Sequence, residues 1–202
     1  MRNMSDDHTH VREFFTVRAA DWDSRFPDDG PAYAAAVADL GLREGSRVLD
    51  AGCGTGRALN PLRAAVGPSG VVLGADLTPA MLEAAVRAGR GLDGQLLLAD
   101  VAALPLRSES LDAVFAAGLI AHLPHPGENL RELARVVRPG GTLALFHPIG
   151  RAALAARQGR RITSQDLRAE ASLGPLLAGA GWHMTSYVDE DARFLALAVR
   201  PA

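Results

Sequence analysis

Five short aliphatic runs recur along the chain: "RVLDAG" (47–52), "VVLGAD" (71–76), "QLLLAD" (95–100), "LDAVFAAG" (111–118) and "TLALFHP" (142–148). Each is continuous rather than alternating, as expected of a strand buried on both faces. Between them lie helical stretches. "PAMLEAAVRAG" (79–89) opens on Pro79 and closes on Gly89, the usual asymmetry of helix ends. "PGENLRELARVVRPGG" (126–141) places Leu130, Leu133, Val136 and Val137 on one helical face, with Pro139-Gly140-Gly141 as its expected stop. Strands that alternate with helices imply right-handed crossovers and a mostly parallel sheet covered on both faces. The pattern breaks at the end: after "LGPLLAGAG" (173–181), "WHMTSYV" (182–188) and "ARFLALAVR" (192–200) are separated only by Asp189, Glu190 and Asp191, which predicts an antiparallel hairpin. The expected fold is therefore α/β, doubly wound, with a seven-stranded, mostly parallel sheet, an antiparallel C-terminal hairpin and helices on both faces.

A length of 202 residues suits one domain, expected over residues 14–202 with an N-terminal helical lid at about 14–41. The polar residues 1–13 are expected to be disordered. A net charge of −2 gives no electrostatic reason to expect a nucleic-acid partner. The longest apolar run, 113–123, is too short for a bilayer, and the N-terminus has no apolar signal core, so no membrane association and a cytoplasmic location are expected. Cys53 is the one cysteine, which excludes an intrachain disulfide. All 21 basic residues are arginine. Without lysine there is neither a Walker A phosphate loop nor a Schiff base for pyridoxal chemistry.

The stretch "LDAGCGTG" (49–56) puts Gly52, Gly54 and Gly56 directly behind the first strand, where a doubly wound sheet binds ligands. Bare backbone there lets N–H groups approach a guest, and the helix starting near Arg57 turns its positive end toward it. The spacing is G-x-G-x-G, not the G-x-G-x-x-G that grips a pyrophosphate. Asp76 ends the second strand, where a carboxylate can accept both hydroxyls of a ribose. Asp100 ends the third, where it can accept from the exocyclic amine of adenine between the apolar walls of Leu77 and Val101. Ribose, adenine and a charged, phosphate-free tail together describe S-adenosylmethionine.

The motifs "VLDAGCGTGRAL", "GADLTPAMLEAA", "LLLADVAALPLRSESLDAVFAAGLIAHLP" and "ELARVVRPGGTLALFHP" resemble, in order and spacing, those of class I S-adenosylmethionine-dependent methyltransferases. The resemblance runs from about residue 14 to 200, nearest the branch of quinone-biosynthesis and natural-product enzymes. It implies that Asp50 and the loop Gly52, Cys53, Gly54 hold the methionine part, Asp76 the ribose, Asp100 and Val101 the adenine, and that the backbone at Ala117 and Gly118 meets the methionine end. "FFTVRAADWDSRF" (14–26) is similar to the segment that folds over the cofactor, written F-x-x-x-A-x-x-Y-D, with Trp22 in the Tyr place. Trp22 lacks the phenol hydroxyl but can cover a sulfonium by a cation–π contact.

His122, just after the fourth strand, and His147, after the fifth, stand on the edge from which an acceptor would approach, and either could serve as general base. No metal is expected. Asp112 reads as a structural cap, Cys53 as inert packing, Trp182 and Tyr187 as packing at the sheet edge, and Arg157, Arg160 and Arg161 as a solvated loop. About fifteen residues, 149–163, separate the fifth strand from the next helix, too few for an inserted substrate domain. The expected function is methyl transfer to a small-molecule acceptor by a monomer or homodimer. The alternative is a non-catalytic cofactor-binding sensor or partner subunit; a nicotinamide oxidoreductase is disfavoured by the glycine spacing.

Overall fold

The computed structural model describes residues 4–25, 29–163 and 166–202. Its sheet has seven strands: β1 (Arg47–Ala51), β2 (Val71–Asp76), β3 (Gln95–Leu98), β4 (Leu111–Ala117), β5 (Val137–His147), β6 (His183–Glu190) and β7 (Arg193–Val199). Their order is β3-β2-β1-β4-β5-β7-β6. Six strands run the same way and β7 alone is reversed, antiparallel to both β5 and β6. The chain steps outward from β1 through β2 to β3, then returns to the other side of β1 for β4. That reversal leaves a crevice between the carboxyl ends of β1 and β4.

Alternate residues of each strand feed two core layers. Val48, Val72, Phe115 and Phe146 pack beneath α2 (Gly30–Asp39) and α3 (Leu59–Val66). Leu49, Leu73, Val114 and Leu145 pack on the opposite face against α5 (Pro126–Val136) and α7 (Glu170–Gly179). Helix α4 (Pro79–Arg87) lies between β2 and β3 in the chain and buries Met81 and Ala85. Trp182 belongs to this core, fully buried, rather than to the sheet edge, and its Nε1–H donates to the Leu130 carbonyl at 2.9 Å. Trp182→Phe removes that bond and part of the indole's packing; urea unfolding should register a loss of about 1–3 kcal/mol. Tyr187 donates from its hydroxyl to the Arg168 carbonyl at 2.8 Å and meets the Phe194 ring edge-on. Asp112 caps as expected, accepting from the Arg47 N–H and the Arg138 guanidinium, both at 2.7 Å.

Three expectations are corrected. Helix α5 does not run to Pro139-Gly140-Gly141: it ends at Val136, and Val137 opens β5 opposite Leu111. The glycines instead shape a bulge, in which a Cβ on Gly141 would lie 2.6 Å from the Asp112 carbonyl oxygen. The terminal hairpin turns on Asp191 and Ala192 alone, because β6 continues through Glu190, which pairs with Arg193. The region 149–163 contains a helix, α6 (Arg151–Arg157), whose Ala- and Leu-rich sequence favours one. The N-terminal segment contributes α1 (Met4–Thr16), whose C-terminal end packs where Phe14 and Phe15 meet His122 and Trp22; residues 1–3 and Phe26 lie outside the described residues. Among the described residues, no helix is long and apolar enough to cross a membrane.

Candidate active site

A cavity of about 510 Å³ opens at the carboxyl ends of β1, β2, β4 and β5. Every site residue expected from the sequence lines it: Asp50, Gly52, Cys53, Gly54, Asp76, Leu77, Asp100, Val101, Ala117, Trp22, His122 and His147. Gly52 and Gly54 hold φ of +68° and +54°, and a Cβ on Gly52 would stand 2.8 Å from Leu119 Cδ1. Glycine is thus required both by the turn and by the close approach of the loop after β4.

The loop spends some of its N–H groups on the protein itself. Cys53 N–H donates to the Ala75 carbonyl at 3.0 Å, and Gly54 N–H donates to Asp76 Oδ2 at 2.9 Å. The Thr78 N–H reaches Asp76 Oδ1 at 2.8 Å. Asp76, which also accepts from the Thr78 side chain, therefore ties β2 to the glycine loop while keeping acceptor capacity for a guest. Asp100 makes the same kind of turn, Oδ1 accepting from Ala102 N–H at 2.8 Å. Helix α3 begins at Leu59, two residues beyond the expected Arg57, so the loop rather than the helix end adjoins the floor.

Asp50 forms that floor. It is 1% exposed, and its Oδ1 has no hydrogen-bond partner among the described residues. Burial, reinforced by the charge of Asp76, pushes its pKa up to about 8. Burial likewise raises Cys53, in keeping with an inert thiol. An orphaned buried carboxylate is costly unless a donor or cation arrives to meet it.

The roof comes from the N-terminal segment. Thr55 Oγ1 donates to Asp23 Oδ1 at 2.7 Å, Arg90 reaches Asp23 Oδ2 at 2.7 Å, and Arg57 pairs with Asp29 at 3.2 Å. These contacts clasp Asp23 and Asp29 to the glycine loop and the residues beside it. Trp22 stands edge-on to Phe15, with centroids 5.5 Å apart, and Phe15 stands edge-on to His122 at 5.0 Å. His122 sits at the rim, outwardly exposed, and His147 is half-buried. Desolvation lowers the pKa of both imidazoles, and the charge of Arg168 lowers both further. His147 Nδ1 lies 2.8 Å from the Ile149 carbonyl oxygen and 3.1 Å from the Ile149 N–H; in the tautomer that donates to the nearer carbonyl, Nε2 is the basic nitrogen.

Sequence reasoning missed Tyr33, Ile149, Leu154 and Arg168, all on the cavity wall. Tyr33 projects from α2 against Phe146, with centroids 5.1 Å apart, and burial beside Asp50 raises its pKa. Arg160, expected to be solvated, also borders the cavity mouth while remaining exposed. Among the described residues, no group of three or more His, Cys, Asp or Glu could hold a metal ion.

Residues 49–145 match the family pattern described as "Methyltransferase domain". Demethylmenaquinone methyltransferase of Staphylococcus aureus is 36% identical over 104 residues, 51% of this chain and 43% of that protein. The chain spans less than half the length of the curated relatives it matches. Among solved structures, an S-adenosylmethionine-dependent methyltransferase from Aquifex aeolicus superposes with a TM-score of 0.69 at 26% identity, over 83% of this chain and 89% of that one. Magnesium protoporphyrin IX methyltransferase from Synechocystis PCC 6803, solved with bound S-adenosylhomocysteine, shares the fold with a TM-score of 0.71 at 21% identity, over 96% of this chain and 99% of that one.

Proposed function

We propose that this chain, a class I S-adenosylmethionine-dependent methyltransferase by family, methylates a small-molecule acceptor in the part of the cavity bounded by α1, His122, His147 and the segment after β5. The observation that carries the reading is Asp50. Its buried, partnerless oxygen lies beside a positive-φ glycine turn, with two more carboxylates at neighbouring strand ends. That donor set fits a ligand with a cationic amino-acid end, a ribose and an adenine. Asp50 with Gly52, Cys53 and Gly54 holds the methionine end, Asp76 accepts from the ribose hydroxyls, and Asp100 with Leu77 and Val101 takes the adenine. Ala117 borders the methionine end and Trp22 covers it.

When bound, the cofactor supplies a sulfonium-activated methyl group for in-line displacement. The protein aligns the acceptor and keeps water away, tasks that suit the Phe14–Phe15–Trp22 roof. His147 is the better-oriented base, since Ile149 fixes the ring through Nδ1 and, in the tautomer that donates to the Ile149 carbonyl, Nε2 is left to take the proton. Both histidines are neutral at pH 7, so the acidic limb of the rate profile should fall below the ordinary imidazole value of about 6.5. His147→Ala should slow transfer by about a hundredfold while leaving S-adenosylhomocysteine affinity unchanged, read by stopped assays alongside calorimetry. A small acceptor is supported by the cavity, which lies within the usual range for small-molecule sites, and by the activity named for the S. aureus relative.

Incubation with labelled S-adenosylmethionine and a metabolite extract tests the reading. Catalytic accumulation of S-adenosylhomocysteine supports it; tight binding without turnover would favour a cofactor sensor.

A further inference from the structure

The two ends of the cavity differ in charge. Asp50, Asp76 and Asp100 line it at the ends of β1, β2 and β3, and the remaining cavity carboxylate, Asp29, is paired with Arg57 at 3.2 Å. The acceptor end has no carboxylate among the described residues. Its walls include Phe14, Phe15, Ile149 and Leu154, and Arg168 borders it, as do Arg18, which lies over the Phe14 ring, and the exposed Arg160.

Arg168 is built into place. Its side chain is 12% exposed, its carbonyl accepts from the Tyr187 hydroxyl at 2.8 Å, and its guanidinium lies 5.9 Å from the Phe194 ring centre. Nε and an Nη each stand 3.3 Å from an oxygen of Asp166. Those are long contacts, and Asp166 also faces Arg151 at 3.9 Å. Arg151 is in turn held by Asp189 at 2.8 Å. Arg168 is thus fixed by its neighbours, nearly enclosed, and matched by one carboxylate, which it shares with Arg151 and which also accepts from the Arg168 backbone N–H at 2.9 Å. Of its five N–H donors, two go to Asp166. Burial lowers the pKa of His122 and His147, and the charge of Arg168 lowers both further, which makes a second cation unwelcome there.

We infer that Arg168 determines acceptor specificity and that the acceptor is a small apolar acid, a carboxylate, phenolate or enolate carried on a hydrocarbon or aromatic body, rather than an amine. The anion meets the open guanidinium donors, and the apolar body fills the space between Phe14, Phe15, Ile149 and Leu154. This rests on the methyltransferase reading and adds the chemical class of its acceptor.

The test is calorimetry on the full chain saturated with S-adenosylhomocysteine. Benzoate, salicylate and 2-naphthoate are each titrated against the matching amide and the matching aminomethyl compound. The best-bound acid should exceed its amide by about tenfold. Arg168→Gln should bring that ratio close to one, and Arg168→Lys should keep part of it. Unchanged S-adenosylhomocysteine affinity in both variants shows that they are folded. The inference is overturned if amides bind as well as acids, if aminomethyl compounds bind best, if no acid binds below the millimolar range, or if Arg168→Gln keeps the acid preference. Failure of the wild-type chain to bind S-adenosylhomocysteine would instead strike the cofactor reading beneath it.

Discussion

Asp50→Asn should weaken S-adenosylmethionine binding by about thirty- to a hundredfold, or about 2–3 kcal/mol, and should abolish its pH dependence. In the free chain Asp50 is raised from 3.8 to about 8, by burial first and by Asp76 second. Between those values the folded chain keeps a proton that the unfolded chain has released. The free protein therefore loses stability as pH climbs through that window. A cationic ligand pairs with the ionised carboxylate and must displace the proton, so its affinity should rise from pH 6 toward and beyond 8. Calorimetry in buffers of different ionisation heat should detect about one proton released per ligand at neutral pH. In Asp50→Asn the proton release vanishes, and Asp50 no longer contributes to the stability slope of the free chain.

Gly150→Ala should destabilise the chain by about 3 kcal/mol and lower Tm by about 6–12 °C. An alanine Cβ there would stand 1.9 Å from the Glu190 carbonyl oxygen, a backbone atom that cannot rotate away. Relief requires prising the turn before α6 off the end of β6, where Arg151 is anchored to Asp189. Because Leu154 and Arg168 line the acceptor end of the cavity, acceptor binding should suffer more than S-adenosylhomocysteine binding. Gly179→Ala is the control: nothing lies within 4 Å of the added Cβ, and the change should be neutral or stabilising by up to about 1 kcal/mol. Thermal melts of the two variants check the pair.

The central strands were legible because burial on both faces demands unbroken aliphatic runs, and β2 was bounded to the residue. The carboxylate-lined end of the cavity was legible for a related reason. Its residues are fixed to strand ends and to one glycine turn, so their positions along the chain largely determine their positions in space. The opposite end is assembled differently. Tyr33, Ile149, Leu154 and Arg168 come from four separate stretches and meet only through packing, which no local spacing reports. The bulge at Gly141 misled for the opposite reason: Pro-Gly-Gly is a strong local stop signal, overridden because Val137 pairs with Leu111 and β5 must pass close to Asp112. The Ala-rich run 151–157 carried a helix signal that could have been read.

Titration of the purified full-length chain with S-adenosylhomocysteine, beside an Asp76→Ala, Asp100→Ala double variant, bears most directly on the claim that strand-end carboxylates and a glycine turn hold one adenosyl ligand. A saturable single site is expected for the wild-type chain, with at least a hundredfold weaker binding in a folded double variant, about 3 kcal/mol or more. No heat from the folded wild-type chain, or equal affinity in the two proteins, would contradict it.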